Sequence, residues 1–81
     1  MSTTREAIRR YISETFFVER FDDGDSFLRS GVVDSTGMME LVAFVEEAWG
    51  LKLADGELVP ANLDSVDNLV RFVERKRAAA A

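Results

Sequence analysis

Of the six serines in the chain, Ser35 has the setting that best suits chemistry. A stretch with apolar anchors at Phe27, Leu28, Val32 and Val33 leads to it, and an acidic helical pattern follows. Its address is Gly31-Val32-Val33-Asp34-Ser35-Thr36-Gly37-Met38-Met39-Glu40-Leu41. A hydroxyl at a helix start is exposed, and a phosphate ester on it faces free backbone N–H groups and the positive end of the helix dipole. The chemistry implied is esterification to phosphate. The competing reading is plain capping: Asp-Ser before an amphipathic helix is an ordinary N-cap signal, and Asp64-Ser65 repeats it in the same chain. Spacing alone favours the cap.

Composition narrows the chemistry further. The 81 residues include no cysteine and no histidine. Disulfides, thiolate metal sites, a thiol nucleophile and the commonest general base are therefore all missing. Intrinsic catalysis is not expected. A carboxylate pair such as Glu40 and Glu47 offers an acid and a base only in name, because both project from an open helix face without a pocket to shift a pKa. A net charge of -5 argues against nucleic acid and points to basic partners. No apolar run approaches the ~20 residues of a membrane span, and Met1 to Arg10 lack the apolar region of a secretory signal, so a cytoplasmic location is expected.

Three amphipathic helices must position these residues. Thr3-Thr4-Arg5-Glu6 is a capping-box pattern, and Ile8, Tyr11, Ile12 and Phe16 give the first helix a buried stripe over about 4–18. Periodicity lapses from Glu19 to Asp34, where turn formers cluster in Asp22-Asp23-Gly24-Asp25-Ser26; this predicts a long functional loop pinned by its apolar residues. A second helix over 35–49 buries Met38, Leu41, Val42, Val45 and Trp49 and ends at Gly50. Phe44 lies off that stripe, placed either to pack on a neighbour or to meet a partner. Leu51, Leu53, Leu58 and Val59 anchor the next irregular segment, Pro60 starts a short helical turn over 60–63, and Val66, Leu69, Val70 and Val73 mark a last helix over 65–77 capped by Asp64 or Ser65. The prediction is an all-α single domain spanning 1–81.

The combination of Asp34-Ser35, Glu40-Leu41 and Glu46-Glu47-Ala48-Trp49-Gly50 resembles the acyl and peptidyl carrier proteins, whose pattern is Asp-Ser-Leu, an acidic second helix and a large aromatic before glycine. The likeness runs from the first helix to Phe72-Val73. It implies a small four-helix bundle, with three main helices, one short helix and a long loop between the first two. It further implies that Ser35 carries 4'-phosphopantetheine, transferred from coenzyme A by a separate phosphopantetheinyl transferase, with Asp34 helping that enzyme place its metal and the serine. The missing cysteine then fits, since the thiol that bears the cargo arrives on the arm. A flexible arm presents its cargo at high effective concentration to enzymes that do the catalysis.

The chain departs from the pattern at Thr36, Gly37 and Met38, positions that bear on cargo and partner. The Asp-Ser-Thr variant, with Leu58-Val59-Pro60-Ala61-Asn62-Leu63-Asp64-Ser65-Val66, is similar to stand-alone carriers loaded by adenylating ligases. Acyl cargo for fatty-acid, polyketide or related biosynthesis and aminoacyl cargo thus both remain open. Between Asp22 and Asp67 there are eleven acidic residues against Arg29 and Lys52, a formal charge of -9. Charged helix faces are usually just solvated. Beside Ser35, the expectation is that Thr36, Met39, Glu40, Ala43, Glu46 and Glu47 meet basic patches on the transferase, the loading ligase and downstream synthases, with the carrier itself a monomer. The alternative from another class is a non-catalytic acidic helical module that docks on a basic groove, with Ser35 merely a cap.

Overall fold

The computed structural model describes residues 3–80, and among them there is no strand. Five helices follow in order: α1 (Thr4–Phe16), α2 (Phe27–Ser30), α3 (Ser35–Trp49), α4 (Pro60–Leu63) and α5 (Val66–Ala80), with a 3₁₀ turn at Asp55–Glu57. The result is a small helical bundle.

The capping box forms as its pattern predicts: Thr3 Oγ1 accepts from the Glu6 N–H at 3.0 Å, and Glu6 Oε1 accepts from the Thr3 N–H at 3.1 Å. Ser65 caps α5, its Oγ accepting from the Asn68 N–H at 3.0 Å. Gly50 closes α3 in the left-handed conformation, at φ 63°, that glycine adopts without strain. From α1 come Ile8 and Ile12, from α3 Leu41 and Val45, and from α5 Val66, Leu69, Phe72 and Val73 to fill the core, each at most 2% exposed. Each such side chain contributes about 1.5–3 kcal/mol of burial energy.

Boundaries differ from the periodicity in three places. The first helix ends at Phe16 rather than residue 18, because Phe17 turns left-handed. The last helix runs on to Ala80. The segment predicted as an unbroken loop contains α2, capped by Ser26 Oγ on the Arg29 N–H, with Phe27 and Val33 fully buried in the core. Asp64 ties this short helix to the α4–α5 corner. Its backbone oxygen accepts from the Phe27 N–H at 2.9 Å, its Oδ1 from the Leu28 N–H at 3.0 Å, and its Oδ2 from the Ser26 hydroxyl.

A second tie secures the start of the same segment. Asp23 binds Arg5 at 2.5 Å and also Arg9, Arg5 reaches on to Asp67 at 2.7 Å, and the Asp23 carbonyl accepts from the Asp67 N–H at 2.9 Å. Partial desolvation pushes the Asp23 carboxyl up, but the hydrogen bonds and charges of Arg5 and Arg9 together outweigh it and hold the group below the usual carboxylate range. A carboxyl with a depressed folded-state pKa adds stability above its unfolded value of about 3.9, and that stability is lost as the pH falls through the folded value. Asp23→Asn is therefore expected to lower Tm by about 2–4 °C at pH 7. The gap to wild type should close as thermal melts are moved below about pH 3.9; a gap constant with pH would show that the ionised carboxylate is not the source.

Candidate functional site

Ser35 is exposed and is the first residue of α3. The cap is Asp34, in extended backbone, whose Oδ1 accepts from the Gly37 N–H at 2.6 Å while its carbonyl accepts from the Met38 N–H at 2.8 Å. The serine is thus released from capping duty. Of the helix-terminal donors, Gly37 is spent on Asp34, and the N–H groups of Ser35 and Thr36 lie ahead of the first α3 hydrogen bond. The Ser35 hydroxyl therefore stands beside two donors without helical partners, at the positive end of the dipole of a 15-residue helix.

Ser35 also stands at the rim of an apolar cleft of about 160 Å³ between α2, α3 and α4, walled by Leu28, Met38, Met39, Val42, Leu58 and Leu63. A neighbouring hollow of about 140 Å³ shares Leu28, Met38, Leu58 and Leu63 and continues past Val59 and Pro60. Two readings change here. Met38, placed in the core by its spacing, is half-buried and lines the cleft, and Leu28, taken as a loop anchor, is 44% exposed and forms the facing wall.

On the outer side of α3, Thr36, Glu40, Ala43 and Glu47 form one exposed stripe, flanked by Met39 at 58% exposure. Glu46, expected to join them, is instead half-buried: its Oε2 accepts from the Leu53 N–H at 2.9 Å and closes the turn after α3. Phe44 is half-buried and packs on a neighbour, stacked on Tyr11 with ring centroids 4.0 Å apart. Trp49 is half-buried and meets Phe44 edge-on at 5.6 Å rather than sealing the core. Glu40 and Glu47, the nominal acid and base, are both exposed, and among the described residues no three carboxylates gather into a metal-binding cluster.

Gly37 is the positional residue that spacing did not single out. A Cβ there would stand 2.6 Å from Phe16 Cε1 and 3.2 Å from Asp34 Oδ1, so the missing side chain lets the end of α1 close on the start of α3. The Tyr11 hydroxyl, donating to the Glu40 carbonyl at 3.2 Å, holds the same two helices one turn further on. A glycine inside a helical pattern is the signal for such a close approach, although it does not say what approaches.

No known family model matches the chain, and no curated protein matches it.

Proposed function

We propose that this chain is a carrier protein that holds an acyl group as a thioester on a 4'-phosphopantetheine arm attached to Ser35. The observation that carries the reading is the release of Ser35: an exposed hydroxyl at the N-terminus of a long helix, freed from capping by Asp34, on the rim of an apolar cleft. These residues suit the arm. The N–H groups of Ser35 and Thr36 and the helix dipole offset the phosphodiester charge, and Leu28, Met38, Met39 and Leu58 offer apolar surface beside the point of attachment. The transfer forms a bond from Ser35 Oγ to the phosphorus of the pantetheine phosphate and breaks the pyrophosphate link of coenzyme A. The adenosine bisphosphate leaves, and the serine proton passes to the transferase.

The chain's own residues then bind and steer rather than catalyse. The exposed carboxylates Glu40 and Glu47 raise the encounter rate with basic loading and condensing enzymes, while the arm supplies the thiol that the sequence lacks. The apolar cleft favours acyl cargo; the Asp34-Ser35-Thr36 sequence favours an adenylating ligase with aminoacyl cargo as the second reading. Among the described residues no helix is long and apolar enough to cross a membrane.

Incubation with coenzyme A, Mg²⁺ and a broad-specificity phosphopantetheinyl transferase should add one phosphopantetheine mass to the wild type and none to Ser35→Ala, read by intact-protein mass spectrometry. The variant should keep the wild-type Tm, because Ser35 is exposed and does not cap α3. Absence of the gain in wild type, with an active control carrier, would instead favour the acidic interaction module.

A further inference from the structure

Phe17 is 91% exposed, against 58% for Met39 and 44% for Leu28. Among the described residues it is also the one non-glycine with positive φ, at 57°. A bulky residue in that conformation is strained, and the position, directly after a helix, is the one where glycine or asparagine is usual. Its backbone ends α1 by placing the Phe17 and Val18 N–H groups on the Ser13 carbonyl. Glycine would make the same turn with less strain. The fold therefore accounts for neither the ring nor the choice of residue, and an exposed strained residue points to use by something outside the fold.

From this geometry we infer that Phe17 is a docking anchor for the enzyme that attaches the arm to Ser35, a partner presenting an apolar pocket rimmed by lysine or arginine. The inference rests on the carrier reading. Phe17 directly follows Phe16, whose ring lies against Gly37, two residues beyond Ser35. A partner of ordinary interface size covers about 800 Å² of each surface, a disc of about 16 Å radius, wide enough for an enzyme centred on the Ser35 hydroxyl to reach towards the end of α1. Of the enzymes the carrier reading implies, only the transferase has to act on the Ser35 Oγ itself, whereas the others act on the thiol at the far end of the arm. Charge sets the rim chemistry: Glu14, Glu19 and Glu40 are exposed near this corner against one exposed cation, Arg20, within a molecule of net charge -5. Aromatic side chains are enriched in the dry centres of interfaces, with charged groups at the edge.

The test measures phosphopantetheine transfer from coenzyme A to wild type, Phe17→Asn, Phe17→Gly and Phe17→Tyr by the broad-specificity transferase with Mg²⁺, alongside thermal melts and size-exclusion light scattering. Phe17→Asn and Phe17→Gly should raise the KM for the carrier about tenfold or more. Their kcat should stay near that of wild type, their Tm should be equal or higher, and Phe17→Tyr should restore the wild-type KM. An unchanged KM in both variants overturns the inference while leaving arm attachment intact. No transfer to wild type removes the carrier reading and this inference with it. A wild-type dimer that Phe17→Asn converts to monomer assigns the ring to a second copy of the chain and also overturns it.

Discussion

Phe27→Ala is expected to lower the unfolding free energy by about 3–5 kcal/mol, as removal of a buried aromatic does when the cavity cannot collapse. Phe27 is 1% exposed and is the main side chain by which the four-residue α2 reaches the core. At about 0.05–0.15 kcal/mol per residue, a domain of this size has a total stability of roughly 4–12 kcal/mol. The variant should thus be marginal at best, with a urea midpoint far below that of wild type. The adjacent Leu28 is the control: at 44% exposure its replacement by alanine should cost well under half as much, while opening the cleft wall beside Ser35. Near-equal losses for the two variants would mean that α2 is not anchored through Phe27.

What could be read from the sequence follows from the range of the interactions involved. α1, α3 and α5 each repeat apolar residues over several turns and start on side chains that cap locally, at Thr3, Asp34 and Ser65, so their existence and the centres of their buried stripes are legible, while Tyr11, Phe16, Met38, Trp49 and Val70 at the stripe edges are only half-buried. α4 is legible from Pro60, whose fixed φ suits the first turn. α2 is too short to show a period. It exists because Phe27 is buried and because Asp64, more than thirty residues away, accepts three of its hydrogen bonds, and no local pattern announces such a partner.

The same distinction runs through the candidate site. The Asp-Ser setting and the exposed stripe of Thr36, Glu40, Ala43 and Glu47 are properties of one helix, and helical geometry alone places them. Glu46 shares that helix, but its carboxylate is turned to the Leu53 N–H by a turn that has no periodicity. Met38 and Leu28 depend on how closely α2 and α4 approach α3; with both neighbours only four residues long, the gap between them stays open as a cleft instead of closing as core. Phe17 presents the reverse problem. In the sequence it reads as one more apolar residue at the end of a helix, and only the left-handed turn shows it thrown outward.

Asp34 joins the fold to the chemistry, and two substitutions separate its roles. Asp34→Ala removes the acceptor of the 2.6 Å bond from the Gly37 N–H and should cost about 1 kcal/mol, the usual loss for an N-cap. Asp34→Asn keeps an oxygen in the same place, and asparagine caps about as well as aspartate, so its stability should stay within a few tenths of a kcal/mol of wild type. For arm attachment the two should behave alike. If the carboxylate helps the transferase place its metal, both variants lose its charge, and a fall in transfer rate of about 10–100-fold is expected, the size seen when a group supporting a metal site is lost. Rates from single-turnover assays, set beside urea midpoints, decide the matter. If Asp34→Asn transfers at the wild-type rate while Asp34→Ala does not, Asp34 acts only by shaping the start of α3, and the serine's freedom to react comes from the cap alone. If both fail, the carboxylate has two functions carried by one short side chain: Oδ1 holds the helix start, and the ionised group serves the enzyme that comes for Ser35.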